Sequence, residues 1–171
     1  MAHGSDGPSP WVARWAALVS RGPVLDVASG DGRHARFFAQ RNLDVVAVDR
    51  EPQSIPGVTF VQADLEDGSP WPFAGRRFGA IVVTNYLHRP LLPILGAALA
   101  EDGVLIYETF MVGNERYGKP SNPNFLLRPS ELLQAFRDLT VLGFEQGRTA
   151  SSVVQRICAI RGEASSARIP A

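Results

Sequence analysis

The apolar positions of this 171-residue chain fall into short runs separated by glycine- and proline-rich breaks. Residues 24–28 (VLDVA), 45–48 (VVAV), 58–62 (VTFVQ), 78–84 (FGAIVVT) and 103–109 (GVLIYET) are apolar and mostly β-branched or aromatic. Runs of that length and composition read as strands of a largely buried sheet. Between the first two, residues 33–41 contain no Gly or Pro and set Phe37 and Phe38 beside Ala35 and Ala39, as in an amphipathic helix. Ser29-Gly30-Asp31-Gly32 breaks the pattern between strand and helix, because its glycines permit positive φ and close backbone approach. Residues 24–50 therefore predict a βαβ unit with a ligand-sized gap at the carboxyl end of its first strand.

Elsewhere the pattern predicts a helix over 11–20, with Trp11, Trp15, Leu18 and Val19 on one side and Arg14 opposite. Its indoles are expected to pack on the sheet. Pro52 and Pro56 leave no room for a full crossover helix over 50–57. Residues 69–73 (SPWPF) make a rigid aromatic turn suited to packing. Residues 90–100 read as a helix that tolerates Pro93 only in its first turn. Another helix restarts over 129–136, with Ser130 available as its cap and Glu131 in its first turn. Residues 139–144 and 153–160 read as the last two strands. Residues 110–128 show no period, and a loop of that length in a compact domain is expected to be a lid or binding loop.

Length and composition restrict the classes. The chain suits one domain, residues 11–161, between a disordered Gly/Ser/Pro-rich segment 1–10 and a loose tail 162–171. Lys+Arg and Asp+Glu both number 17, so the net charge is zero and no generic basic face for nucleic acid is expected. Cys158 lies in an apolar run and reads as a core residue; a single cysteine suits a reducing cytosol. No membrane-length apolar run or signal peptide is visible, and a cytoplasmic location is expected. His3, His34 and His88 have no metal-ligand spacing.

Two acids bracket the predicted gap. Asp26 lies within the first strand, and Asp49 closes the second, where an acid can accept hydrogen bonds from ribose hydroxyls. Gly30-Asp31-Gly32-Arg33-His34-Ala35 also fits the Gly-x-Gly-x-x-Gly/Ala pattern of nicotinamide and flavin proteins. Against that reading stand the charge of Asp26 in the strand, the wide turn Ala28-Ser29-Gly30, and a chain too short for a separate substrate domain.

The order Asp26-Val27-Ala28-Ser29-Gly30-Asp31-Gly32 resembles the first motif of the class I S-adenosylmethionine-dependent methyltransferases, departing from it at Ala28, where glycine is usual. The closest similarity is to small bacterial members of the tellurite-resistance and thiopurine types. The resemblance implies an α/β fold: a Rossmann-like, doubly wound, mostly parallel seven-stranded sheet with an antiparallel last strand and helices on both faces. It implies S-adenosyl-L-methionine as cofactor and a small-molecule acceptor, methylated by in-line displacement. By motif position it places Asp26, Ala28, Ser29, Gly30, Gly32, Arg33, His34, Asp49 and Arg50 about the cofactor, with Asp64 and Leu65 at adenine and Asn85 and Tyr86 at the methionine part. For the leading helix the resemblance implies an alternative to packing on the sheet, that it lines or covers that site.

Displacement at a sulfonium carbon needs a base only if the nucleophile carries a proton. His88 has the intrinsic pKa for that task and Glu108, near the tip of the fifth strand, is the second choice. Arg89, Tyr107, Arg116 and Tyr117 are the substrate candidates; Arg89, Arg116, Lys119 and Arg128 either meet an anionic acceptor or stay solvated. The Asn/Asp-Pro-Pro-Tyr motif of amino-methylating nucleic-acid enzymes is absent from the sequence, which favours a small molecule over a nucleic-acid base. Two alternatives remain: a nicotinamide- or flavin-binding reductase-like domain, and a noncatalytic cofactor-binding partner protein.

Overall fold

The computed structural model describes residues 6–171. Its centre is a seven-stranded sheet of order β3-β2-β1-β4-β5-β7-β6. The strands are β1 (Val24–Val27), β2 (Val45–Asp49), β3 (Thr59–Gln62), β4 (Phe78–Thr84), β5 (Leu99–Phe110), β6 (Thr140–Arg148) and β7 (Val153–Ile160). β7 runs antiparallel to both β5 and β6, while β1 to β5 pair in parallel. This is the Rossmann-like architecture that the resemblance implied. β1 is buried at every position, and β4 at every position but its last, which explains their unbroken apolar runs.

Two apolar layers sandwich the sheet. On one face α1 (Pro10–Trp15), the 3-10 turn Ala16–Leu18 and α2 (Arg33–Ala39) cover Val24, Ala47, Val82 and Ile106. Trp11 and Trp15 are almost wholly buried there. Gly143 of β6 has no side chain because the Trp15 indole occupies the space that its Cβ would need. On the other face α3 (Leu92–Ala97) and α4 (Glu131–Ala135) pack with Phe73, Tyr107 and Phe136.

Several elements differ from the sequence expectation. The leading helix begins inside the stretch expected to be disordered: Ser9 is buried and caps α1 by accepting from Val12 N at 3.2 Å. Residues 1–5 of that stretch lie outside the described residues. No helix follows β2, as its prolines dictated, and residues 63–77 form only turns. The helix expected over 90–100 stops at Ala97, and β5 starts at Leu99, before the Asp102-Gly103 turn. Ser130 does not cap α4 through its side chain. Instead Gln155 of β7, fully buried, accepts from Leu132 N at 2.7 Å and donates to Arg128 O at 3.0 Å. The tail is not loose throughout: Ala167 packs against the α1 face, and Thr140 donates its hydroxyl proton to Gly162 O at 2.5 Å.

Candidate active site

Sheet order changes direction between β1 and β4, and the loops leaving their carboxyl ends part there. A cleft of about 480 Å³ opens at this point, a size ordinary for a small-molecule site. Its walls are Ala28 after β1, Asp49 at the end of β2 and Arg50 beyond it, residues 63–66 after β3, and Asn85, Tyr86 and Leu87 after β4. Thr109, Phe110, Pro120 and Phe125 close it from the side of β5.

The first turn is clamped to the neighbouring strand. Ser29 N donates to Val48 O at 3.1 Å, and Gly30 N donates to Asp49 Oδ2 at 2.9 Å. Asp49 Oδ1 accepts from Glu51 N at 3.0 Å. Two backbone amides thus hold the carboxylate at the tip of β2, and its remaining lone pairs stay available on the cleft wall. Ala28 and Gly30 both have φ in the left-handed region, 53° and 54°, which bends the turn away from the strand direction. A Cβ at Gly30 would meet nothing within 4 Å, so the backbone there is open to a ligand. Gly32 is glycine for another reason: a Cβ would run into Ile55.

Asp26 lies beneath this turn rather than on the cleft wall. It is buried, and its Oδ2 accepts from Ala35 N at 3.0 Å, which ties α2 to β1. Burial raises its pKa to about 7, against the lowering effects of that amide and of Arg33. His34 is also a buried strut. Its Nε2 accepts from Ser9 N at 3.1 Å, and Nδ1 lies 3.4 Å from Thr84 Oγ1. Burial lowers its pKa to about 4, so the ring is neutral at physiological pH. Gly32, Arg33 and His34 belong to the turn and helix behind the cleft, not to its walls. The leading helix likewise contributes no wall: its indoles pack on the sheet.

Asp49, Arg50, Asp64, Leu65, Asn85 and Tyr86, expected at the cofactor, do line the cleft. Asp64 Oδ1 accepts from Glu66 N at 2.9 Å. Asn85 reaches the wall because it adopts φ 54°, with its N–H donating to Glu108 O at 3.0 Å.

The catalytic and substrate candidates are placed differently. His88 lines an adjoining groove of about 750 Å³, which shares Arg50 and residues 63–66 with the cleft and adds Trp71, Leu91 and Ile94. Its Nδ1 lies 3.5 Å from Glu66 Oε1. Glu108 points through the opposite face of the sheet, where Arg156 holds it in an ion pair at 3.1 Å. Tyr107, two positions from Thr109 on β5, is buried in the α3–α4 layer and donates to Tyr86 O at 2.7 Å. Arg89 is engaged by partners within the protein. Its Nε and Nη2 donate to the two carboxylate oxygens of Glu131 at 2.9 and 3.0 Å. The same guanidinium donates to Asn124 O at 3.1 Å and Leu126 O at 2.9 Å. Although burial pushes the Glu131 carboxyl up, hydrogen bonds from Arg89 and Arg128 N hold it below its ordinary value. Arg116 and Tyr117 lie exposed on the 3-10 turn Asn114–Arg116 and just beyond it, off the cleft wall.

Glu66 escaped the sequence reading. It borders both cavities, accepts from the Tyr86 hydroxyl at 3.3 Å, and faces His88. Burial, then the Glu66 charge, pushes the Tyr86 phenol well above the usual tyrosine range, so it remains a donor. A signal was present in the sequence, a second acid two places beyond Asp64, but a turn of exposed acids has many other uses. The carboxylates of Asp49, Asp64 and Glu66 face one guanidinium, that of Arg50, so the charged wall favours a cationic ligand.

Comparison with known proteins bears on the fold that carries this cleft. A family model described as "Methyltransferase domain" matches residues 25–101. No curated protein sequence matches the chain. Among solved structures, TehB from Haemophilus influenzae superposes with a TM-score of 0.71 at 15% identity, over 88% of this chain and 61% of TehB. This chain thus spans about three fifths of that relative. A 1,6-didemethyltoxoflavin-N1-methyltransferase from Burkholderia thailandensis, solved with 1,6-didemethyltoxoflavin and S-adenosylhomocysteine, gives 0.67 at 19% identity, over 91% and 78%. A TehB-like SAM-dependent methyltransferase from Corynebacterium glutamicum gives 0.63 at 19% identity, over 87% and 85%. Residues 25–101 thus resemble a methyltransferase domain, and the described residues share the fold of these solved methyltransferases.

Proposed function

We propose that this protein transfers a methyl group from S-adenosylmethionine to a small-molecule acceptor. The observation that carries the reading is the Asp49 carboxylate, held on the cleft wall by Gly30 N, beside the open backbone of the first turn. Such a carboxylate accepts from a ribose diol, as at other nucleoside sites. Asp64 and the backbone of Leu65 suit the adenine edge, and Ala28 with Asn85 and Tyr86 suits the amino-acid end. Their chemistry fits the cofactor: acceptors for a diol and an exocyclic amine, and a net negative wall for a sulfonium.

When bound, the cofactor supplies a methyl group already activated by its positive sulfur. The chain's own task is then to orient an acceptor in line and to exclude water. The walls toward β5 do this with Thr109, Phe110, Pro120 and Phe125. Neither His88, on the adjoining groove, nor Glu108, paired with Arg156, reaches that wall. We assign His88 to the Glu66–Tyr86 cluster and Glu108 to an ion pair that braces β5 against β7, and no base role to either.

No helix among the described residues is long and apolar enough to cross a membrane, and we place the reaction in the cytoplasm. The test is calorimetric titration with S-adenosylmethionine and S-adenosylhomocysteine, with NADH as control. Binding of the first two at micromolar concentration is expected. Asp49→Ala should weaken it at least tenfold, since it removes charged hydrogen bonds worth about 1.5–3 kcal/mol. Tight binding of NADH instead would overturn the assignment in favour of a reductase-like domain. Absence of all binding in a folded protein would leave a protein–protein role.

A further inference from the structure

We propose that Phe125 is the specificity-determining residue of the acceptor site and that the acceptor is a flat aromatic molecule; this rests on the methyltransferase reading above. Phe125 lies in the 110–128 segment, at the end of the 3-10 turn Pro123–Phe125, and 47% of it is exposed. A single exposed phenylalanine on a surface needs no explanation. This one forms part of the cleft wall, and it is held in place.

The fixation is specific. Arg89 donates Nη1 to the carbonyl of Asn124 and Nη2 to the carbonyl of Leu126, the residues on either side of Phe125. The guanidinium is itself seated by two bonds to Glu131, whose carboxylate also accepts from Arg128 N at 3.0 Å. Behind the ring, Leu126 and Leu127 are buried, and Leu127 N donates to Phe110 O at 3.0 Å. On the other flank Asn114, also buried, joins the loop to itself and to β7: it donates to Pro120 O at 3.1 Å and accepts from Val153 N at 3.0 Å. Both residues that the loop presents to the cleft, Pro120 and Phe125, are therefore attached to its anchors. The segment read as a lid or binding loop is tied to the body of the protein by these bonds.

Ordering an aromatic ring at a half-exposed position keeps apolar area in water, a cost that folding alone does not offset. It is recovered when a ligand covers the ring. Phe125, Phe110 and Pro120 offer flat apolar surfaces, and aromatic pairs gain about 0.5–1.5 kcal/mol beyond the area that they bury. Arg89 starts from the 85–89 segment that also lines the cofactor end, so one residue sets the distance between the two halves of the cleft. Arg89 is a positioning residue; it touches neither ligand. In the step so arranged, the acceptor heteroatom forms a bond to the methyl carbon as the carbon–sulfur bond breaks. The sulfonium takes the electron pair as a neutral thioether, and any proton on the acceptor leaves to solvent.

The test uses protein saturated with S-adenosylhomocysteine, and saturation-transfer NMR with 2-naphthol and its puckered counterpart decahydro-2-naphthol. The flat probe is expected to bind at least about tenfold more tightly. Phe125→Leu should abolish that preference while leaving the affinity for S-adenosylhomocysteine unchanged. Arg89→Lys, which cannot bracket both carbonyls, should lose much of the preference too, and Phe125→Tyr should retain it. With 2-naphthol, 2-naphthylamine and 2-naphthalenethiol as acceptors, Phe125→Leu should raise KM and change kcat little. Equal binding of the two probes, or a Phe125→Leu variant that loses S-adenosylhomocysteine affinity instead, overturns the proposal. Failure of the unsubstituted protein to bind S-adenosylhomocysteine at all overturns the methyltransferase reading beneath it, and this inference with it.

Discussion

Asp26 on β1 and His34 on α2 are both buried, yet their pKa values shift in opposite directions, and this makes a quantitative prediction about stability. Burial raises the Asp26 pKa from 3.8 to about 7. At about 1.4 kcal/mol for each tenfold change in proton affinity, the native state loses up to about 4 kcal/mol as Asp26 ionises. That contribution is fully present below pH 3.8 and disappears as pH rises through 7, because the native state is the one that binds the extra proton in this window. Burial lowers the His34 pKa from 6.5 to about 4. Its contribution has the opposite slope: the unfolded chain binds the extra proton, so up to about 3 kcal/mol is lost as pH falls from 6.5 to 4. From pH 4 to 6.5 the two slopes nearly cancel. Asp26→Asn keeps an acceptor for Ala35 N without the charge, and His34→Gln keeps one for Ser9 N. Urea denaturation of the native sequence, both single variants and the double variant, from pH 4 to 8, separates the contributions. Relative to the native sequence, Asp26→Asn should gain stability as pH rises, approaching 4 kcal/mol above pH 7, and His34→Gln should lose its acid-side penalty. The double variant should restore near-parallel behaviour over pH 4–6.5. An Asp26→Asn curve parallel to that of the native sequence at every pH would refute the reasoning, since it would mean that Asp26 is ionised throughout.

Gln155→Leu strands Leu132 N and Arg128 O in the interior and should cost about 2–4 kcal/mol in a urea titration, with α4 losing amide protection first. Gly143→Ala pushes a methyl group into the Trp15 indole and should cost about 1–3 kcal/mol, with a change in tryptophan fluorescence; Gly7→Ala, where a Cβ meets nothing within 4 Å, should be neutral. Arg156→Met leaves the Glu108 carboxylate buried without its cation and should cost about 1–3 kcal/mol in a urea titration.

The candidate site was legible where chemistry is carried by the backbone path. Ala28, Asp49, Asp64, Leu65 and Asn85 lie at or just beyond strand ends, and in a parallel sheet these positions must meet at the carboxyl edge. It was not legible where a side chain had to choose a face. Tyr107 and Glu108 are adjacent in sequence and therefore lie on opposite sides of β5, one in the α3–α4 layer and the other against Arg156. Neither reaches the cleft, because the strand continues to Phe110 before its loop departs. His34 looked like a motif residue, but α2 turns it inward toward Ser9 and Thr84. Arg89 looked like a substrate cation; its partners lie 35 to 42 residues away, beyond any local pattern.

By itself, the sequence determined the strands, the glycine turn, the loss of the helix after β2, and the acid at the tip of β2. These depend on local properties: apolar periodicity, permitted φ and the geometry of proline. Tertiary structure alone decided which polar groups are struts and which are walls. Asp26, His34, Arg89, Glu108 and Gln155 became internal partners because each met a backbone group or counter-charge brought from a distant segment. Asp49, Asp64 and Glu66 stayed on the cleft wall, since the neighbouring turns satisfy them only in part. A buried polar side chain must be paired, and its pairing depends on which segments the sheet order brings together.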